Sequence, residues 1–467
     1  MTGQASSRSI RWMRSALLWV GIAAAASVAA APRRLVVCLD GTSNSTYNVR
    51  LRTDGHTVLK PTNTLKMCRA VLPTDPDSGQ TQMAYYDIGV GSLAKYPGTS
   101  NKLLFLADRG LGGAYGAGYE GKVEDALHFL VLNYEPGDEV FVFGFSRGAA
   151  EAFGLTRFLE WNGGLPKKED AYYLPRMFRT FVISRGAQGR RESELAEINK
   201  DRRDIDKREP LQPFVFVPIK YLGVWDTVMA LGARFKATGA STSRASKSFY
   251  GGKVPPDSVQ HARQALAIDE MRFDFRPEIW LDHLPGQKLE QRWFAGVHSN
   301  VGGGYSHDGL ANIAFKWVLQ GAMDEGLKID PDYVKHFRPF PLDSLYDSSS
   351  GFYRALDKLR HRAGGGRREL VGRPAGANLE LDPSVVKRMR ESADKLVPGN
   401  RPPGPYRPQN VLQFLACQPD LDAYLVSIGI DDLAKKPLPG DVLKTIADLR
   451  PRCSQEIAKQ GERDAQP

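Results

Sequence analysis

Cysteine is scarce in this 467-residue chain. There are four, Cys38, Cys68, Cys417 and Cys453, and no two form a C-x-x-C pair. That spacing excludes a zinc finger or ribbon. The aromatic-and-basic ribonucleoprotein signature and a recognition-helix pattern are also missing, so no nucleic acid is expected as partner despite a net charge of +10. No internal repeat is present. Acidic residues are absent before Asp40. The apolar run Ala16–Ala31 is shorter than the ~20 residues that cross a bilayer comfortably.

What stands at the N-terminus is therefore distinctive. Arg8, Arg11 and Arg14 precede ALLWVGIAAAASVAAA (Ala16–Ala31). A basic segment, a short apolar core and small residues describe a secretory signal peptide over residues 1–31, cut near Ala30 or Ala31. Pro32 sits close to such a cut, and an uncleaved membrane anchor is the alternative. Loss of this segment removes three arginines and no acids, which lowers the net charge to +7. A modest, diffuse basic excess favours anionic membrane surfaces. Cys38 falls in the first apolar strand and reads as a buried thiol. An oxidising compartment would permit a bridge between Cys417 and Cys453, but the sequence leaves that pairing open.

The stretch VFVFGFSRGAA (Val140–Ala150) carries the most chemistry. An apolar strand breaks into Gly144-Phe145-Ser146-Arg147-Gly148, followed by the small residues that open a helix. This is the G-x-S-x-G nucleophile elbow. The tight turn holds the serine in a strained conformation at a helix N-terminus, where backbone N–H groups favour developing negative charge. A Cβ at Gly144 or Gly148 would collide with the adjoining strand or helix. The bland alternative is an ordinary glycine-rich strand-to-helix turn.

A nucleophilic serine needs a base and a group to orient it. In an α/β-hydrolase the chain order is Ser, then Asp or Glu, then His, each on a loop after a strand. The run FVFVPIKYLGVWDT (Phe214–Thr227) ends in Asp226, and QRWFAGVHSNVGGGY (Gln291–Tyr305) carries His298. Ser146, Asp226 and His298 thus form a candidate triad. Asp226 could instead cap a helix starting near Thr227, and His298 could be a loop histidine. Asp269 is the rival orienter, but it reads as part of a helix that also holds His261 and Glu270. The run RLVVCLDGTSN (Arg34–Asn44) reads as the first strand. The oxyanion hole is expected from the N–H of Arg147 together with Gly41 or Thr42, with Asp40 structural.

These segments, with YYDIGVG (Tyr85–Gly91), VWDTV (Val224–Val228) and the stretch His261–Trp280, resemble the successive motifs of one family. It is the α/β-hydrolase domain of type VI secretion lipase effectors of the first class. The resemblance spans roughly Arg33 to Leu412, where DPSVVKRMRES and YRPQNV are similar to that domain's usual end. It implies a Ser–Asp–His phospholipase or related carboxylic-ester hydrolase, with Ser146 as nucleophile, Asp226 as acid and His298 as base. Asn300 stands where the family often has an acid and Ala295 where it often has proline. An export signal is also unusual for such an effector.

The organisation expected is a catalytic domain over residues 33–412, with insertions near 167–210 and 329–380, and a small helical extension over 413–467. The fold class is α/β: a doubly wound, mostly parallel sheet with helical insertions. A helix is expected over Gly121–Asn133 and another over Leu310–Asp324. The charged Lys167–Pro210 reads as a surface insertion in the place of a lid. Ala237–Val254 reads as a mobile loop, and Arg360–Arg373 as exposed because it is rich in Arg and Gly. Aromatics near Phe105–Tyr119 could line an acyl groove. His307-Asp308 is too poorly spaced for a metal site, and no metal or cofactor is expected. The function read from the chain is a lipid-directed serine ester hydrolase at a membrane surface, exported to the periplasm or anchored in the inner membrane. Its immunity partner, if any, is not identifiable. The alternatives are a small-ester or thioester hydrolase, or an idle envelope-binding module on the same fold.

Overall fold

The structure is a computed structural model. It describes residues 32–42, 44, 49–51, 57–89, 114–212, 214–228, 254–272, 275–349, 367–371 and 375–453. The signal or anchor segment, nearly all of the Ala237–Val254 loop and most of the Phe105–Tyr119 stretch lie outside those residues.

Strand β1 (Arg34–Leu39) is followed by a small antiparallel hairpin, β2 (Val49–Leu51) and β3 (Thr57–Leu59), then helix α1 (Asn63–Ala70) and strand β4 (Gln82–Asp87). Helix α2 (Ala114–Asn133) leads to β5 (Glu139–Phe145), and α3 (Arg147–Asn162) follows at once. Two helices, α4 (Leu174–Ser184) and α5 (Gln188–Asp204), precede β6 (Ile219–Trp225), β7 (Val259–Ala267) and β8 (Lys288–Phe294). A short helix α6 (His298–Gly302) and the long α7 (Gly309–Asp324) come next, with α8 (Pro331–Val334) and β9 (Leu379–Leu381) after them. Helices α9 (Pro383–Arg390), α10 (Gln409–Ala416), α11 (Leu421–Ser427) and α12 (Gly440–Leu449) complete the described chain.

Seven strands form one sheet in the order β4-β1-β5-β6-β7-β8-β9, and every pairing in it is parallel. This is the α/β-hydrolase class of fold, with helices on both faces. Parallel strands covered on both sides tend to be apolar on both sides, as the central β1 and β5 are. Leu35, Val37 and Leu39 of β1 join Val140 and Val142 of β5 in the core under α2, α3 and α4. Val36 and Cys38, with Phe141, Phe143 and Phe145, point the other way into the core under α1 and α7. A third cluster lies at the β8–β9 end, where Trp293, Leu381 and Val385 meet Leu415, Leu425 and Val442 of the last helices. There Cys417 and Cys453 form a disulfide, with Cα atoms 5.3 Å apart.

Two expectations need correction. The helix expected around His261 is a strand. VQHARQALA favours a helix locally, but residues 261–267 are buried between β6 and β8, and the ladder with both neighbours outweighs propensity. The helix expected from Gly121 begins at Ala114. The charged segment after α3 is the helical pair α4 and α5. Leu174, Met177, Phe178 and Phe181 of α4 are buried against the first core, while α5 buries only Ile198 and Arg202. Among the described residues no helix is long and apolar enough to cross a membrane.

Candidate active site

The carboxyl ends of β5, β6 and β8 bring three loops together, the usual place for ligand chemistry in an open parallel sheet. Ser146 directly follows β5 with φ 59 and ψ −119, a conformation an L-residue holds only when its surroundings impose it. Those surroundings are identifiable. The Ser146 N–H donates to Trp225 O at 3.0 Å, and Val228 N–H donates to Ser146 O at 3.2 Å. A Cβ on Gly144 would sit 2.4 Å from Gly148 O, and one on Gly148 would sit 2.1 Å from Leu39 O. Helix α3 therefore starts immediately at Arg147, with the serine ahead of its first turn.

His298 opens α6 and lies between two rings, Phe145 at 4.6 Å and Phe275 edge-on at 5.0 Å between centroids. Its Nε2 is 2.7 Å from Ser146 Oγ, and its Nδ1 is 2.5 Å from Asp226 Oδ2. All three side chains are buried. Burial lowers the imidazole's pKa below its ordinary value, with Asp226 pulling the other way. A neutral ring of this kind donates from Nδ1 and accepts at Nε2. Burial alone would raise the Asp226 carboxyl, but Arg368 and His298 outweigh it and hold the group well below the usual carboxylate range.

Arg368 corrects the expectation that Arg360–Arg373 is exposed. Its guanidinium is 1% exposed and meets both Asp226 oxygens. Nη2 donates to Oδ2 at 2.9 Å, and Nη1 donates to Oδ1 and to Ala267 O. Composition hid this residue, because a buried ion pair 142 positions apart leaves no local pattern. Asp269, the rival orienter, lies two residues after β7 and faces elsewhere. It accepts from Gly296 N–H at 2.7 Å and Tyr406 Oη at 2.8 Å, and it pairs with Arg401. Glu270 pairs with Arg272, accepts from Ser348 Oγ and meets the His298 N–H at 3.3 Å.

The β1 loop approaches from the other side. Gly41 is so close that a Cβ there would be 3.0 Å from Ser146 Cβ. The Gly41 N–H donates to Asp40 Oδ1 at 2.7 Å, and Arg147 Nε donates to Thr42 Oγ1. Asp40 also accepts from the Thr62 and Tyr86 hydroxyls at 2.6 and 2.7 Å, and burial raises its carboxyl to about 6. Asn300 joins its own loop to the next segment, accepting from Val297 and Tyr346 N–H groups and donating to Ser344 O. Among the described residues no group of three His, Cys, Asp or Glu side chains could hold a metal ion.

Residues 33–321 match the family model described as T6SS, phospholipase effector Tle1-like, catalytic domain. An uncharacterized protein of Saccharomyces cerevisiae is 37% identical over 54 residues, which is 10% of this chain and 8% of that one. Among solved structures, an uncharacterized protein from Pseudomonas aeruginosa is similar over 92% of this chain and 62% of its own, with a TM-score of 0.38 and 15% identity. The Tle1 effector bound to the VgrG spike of the type 6 secretion system is similar over 59% of this chain and 52% of its own, with a TM-score of 0.31 and 18% identity. The chain thus spans less than two thirds of each of these relatives.

Proposed function

The chain belongs to the Tle1-like family of T6SS phospholipase effectors, and from that premise we propose that it is a serine carboxylic-ester hydrolase acting on lipids. The observation that carries this reading is the hydrogen-bonded line from Ser146 Oγ through His298 to Asp226. Ser146 Oγ attacks the ester carbonyl carbon while its proton passes to His298 Nε2. Asp226 keeps the ring in the tautomer that can accept that proton and stabilises the imidazolium. The carbonyl oxygen gains negative charge at the N-terminus of α3. There the Arg147 N–H, with an N–H of the Gly41–Thr42 loop, is proposed to receive it. Because the Gly41 N–H is directed at Asp40, the Thr42 N–H is the donor of choice in that loop. His298 then protonates the departing alcohol, leaving an acyl-Ser146. Water, deprotonated by the same ring, releases the fatty acid and restores the hydroxyl.

The substrate class proposed is a glycerophospholipid ester. Residues 1–31 are proposed to carry the chain to or across the inner membrane, beside that substrate. Labelling with a fluorophosphonate tests the nucleophile: the wild-type chain is expected to react at one site, and Ser146→Ala is expected to abolish both labelling and phospholipid hydrolysis with an unchanged melting profile. Turnover that survives Ser146→Ala refutes the assignment. A protein lacking residues 1–31 should hydrolyse micellar phospholipid better than a short soluble ester; the opposite preference favours a small-ester hydrolase. Finding the full-length chain wholly cytosolic on fractionation removes the export reading.

A further inference from the structure

The carboxylate that faces His298 is fully subscribed. Asp226 Oδ1 accepts from the Ala267 N–H at 2.9 Å and from Arg368 Nη1, and Oδ2 accepts from His298 Nδ1 and Arg368 Nη2. Arg368 is itself braced. Nη2 donates to Phe275 O at 2.6 Å, Nη1 donates to Ala267 O at 2.9 Å, and Asn410 Nδ2 of α10 donates to the Arg368 carbonyl at 3.0 Å. Arg368 lies beyond the residues that match the family model. We infer that Arg368 is a positioning residue: its two-pronged guanidinium fixes both oxygens of Asp226 and places a compensating positive charge beside the Asp226–His298 pair. This rests on the serine-hydrolase reading above.

Charge balance around the imidazole gives the clamp a measurable consequence. The ring faces Ser146 from the end of β5, Asp226 from the end of β6, and Glu270 with Arg272 from the loop after β7. Glu270 and Arg272 neutralise each other at 2.8–2.9 Å. Arg368 does the same for Asp226. Without Arg368 one buried negative charge is left unbalanced beside His298, and the imidazolium becomes easier to form. A unit charge several ångströms away in a protein interior is worth about one pKa unit. A bidentate pair also fixes direction, which a single ammonium does not.

The test is kcat/KM against pH on a p-nitrophenyl ester, for the full chain, Arg368→Gln and Arg368→Lys, with fluorophosphonate labelling and thermal unfolding of each. Arg368→Gln is expected to move the acid limb up by roughly one pH unit. Arg368→Lys is expected to keep the limb in place while the plateau falls by about tenfold or more. A folded, labelled Arg368→Gln protein with an unmoved limb overturns the inference. If that variant does not fold, Arg368→Lys decides: a wild-type plateau, or a displaced limb, overturns it. Absence of labelling in the wild-type chain overturns the serine-hydrolase reading as well, whereas labelling with an unmoved limb overturns this inference alone.

Discussion

Gly302 lies against the ring of Phe145 so closely that a methyl group on its Cα would sit 1.9 Å from Cε2. Phe145 is the residue before Ser146, and its ring lies tilted against the imidazole of His298 at 4.6 Å between centroids, four residues before Gly302 on the same short helix. One aromatic side chain therefore sets how α6 approaches the elbow. Gly302→Ala must displace that ring or that helix. We expect a loss of about 1–3 kcal/mol from overpacking, with a larger fall in ester turnover than in substrate binding. Thermal unfolding and a kcat-against-KM comparison check this; unchanged values for both show that the contact relaxes freely.

That contact also marks where the sequence stops being readable. Val140–Phe143 and the longer run Phe214–Thr227 could be read as strand-like because apolar residues run up to a turn, although the strands themselves are Glu139–Phe145 and Ile219–Trp225, and Ser146 and Asp226 could be picked out at their ends. His298 was visible in the same way, from Trp293-Phe294 and the glycines after it. Val259–Ala267 was not legible, since Ala, Gln, Arg and Leu favour a helix until two neighbouring strands claim the backbone. Arg368 was not legible either. A segment rich in Arg and Gly suggests solvent, and only the tertiary fold brings its guanidinium to a carboxylate at the end of β6. The Cys417–Cys453 bridge was permitted by composition, but its pairing depended on how α10 and α12 pack.

Two carboxyl groups beneath the site make stability depend on pH. Burial raises Asp40 to about 6 and Glu151 well above its ordinary value, and Glu151 Oε1 has no hydrogen-bond partner among the described residues. A folded-state pKa above the unfolded one means the folded chain binds the extra proton. Stability from these groups is therefore present at low pH and falls as pH rises, for Asp40 through the window from about 4 to about 6. Its full loss is about 3 kcal/mol. Asp40→Asn keeps an oxygen for the Gly41 N–H, and the Thr62 and Tyr86 hydroxyls can turn to accept. We expect this variant to flatten the decline in unfolding free energy between about pH 4 and about pH 6. Urea titrations at several pH values would show it, and an unaltered slope would mean Asp40 is not the group responsible.

The disulfide ties the end of α10 to the end of the described chain across 36 residues. Constraining a loop of that length stabilises by roughly 3–4 kcal/mol in the chain-entropy account. Cys417→Ser, or reduction of the wild type, should loosen α11 and α12 first, because they are held by the cluster at the β8–β9 end rather than by the main sheet cores. Limited proteolysis should cut within residues 418–452 before it cuts the sheet. Equal susceptibility with and without reductant would show that packing, not the bridge, holds this region.

Asp226 and Asp269 both follow Ser146 in the chain and precede His298, and both are buried, so their isosteric variants separate orientation from packing. In Asp226→Asn an amide can donate to His298 Nδ1, which forces the ring proton onto Nε2 and points it at Ser146. A base in that tautomer cannot accept the serine proton, and turnover should fall roughly 10³–10⁴-fold. Arg368 would also lose its ionic partner, so some loss of stability accompanies the change. In Asp269→Asn the Gly296 N–H and Tyr406 hydroxyl keep an acceptor, and only the Arg401 contact weakens. That variant should lose less than about tenfold in turnover, with its cost appearing in thermal unfolding. Steady-state kinetics on a common ester, read beside the melting profiles, decides between them. A collapse of turnover in a fully folded Asp269→Asn protein would assign the orienting role to the wrong aspartate.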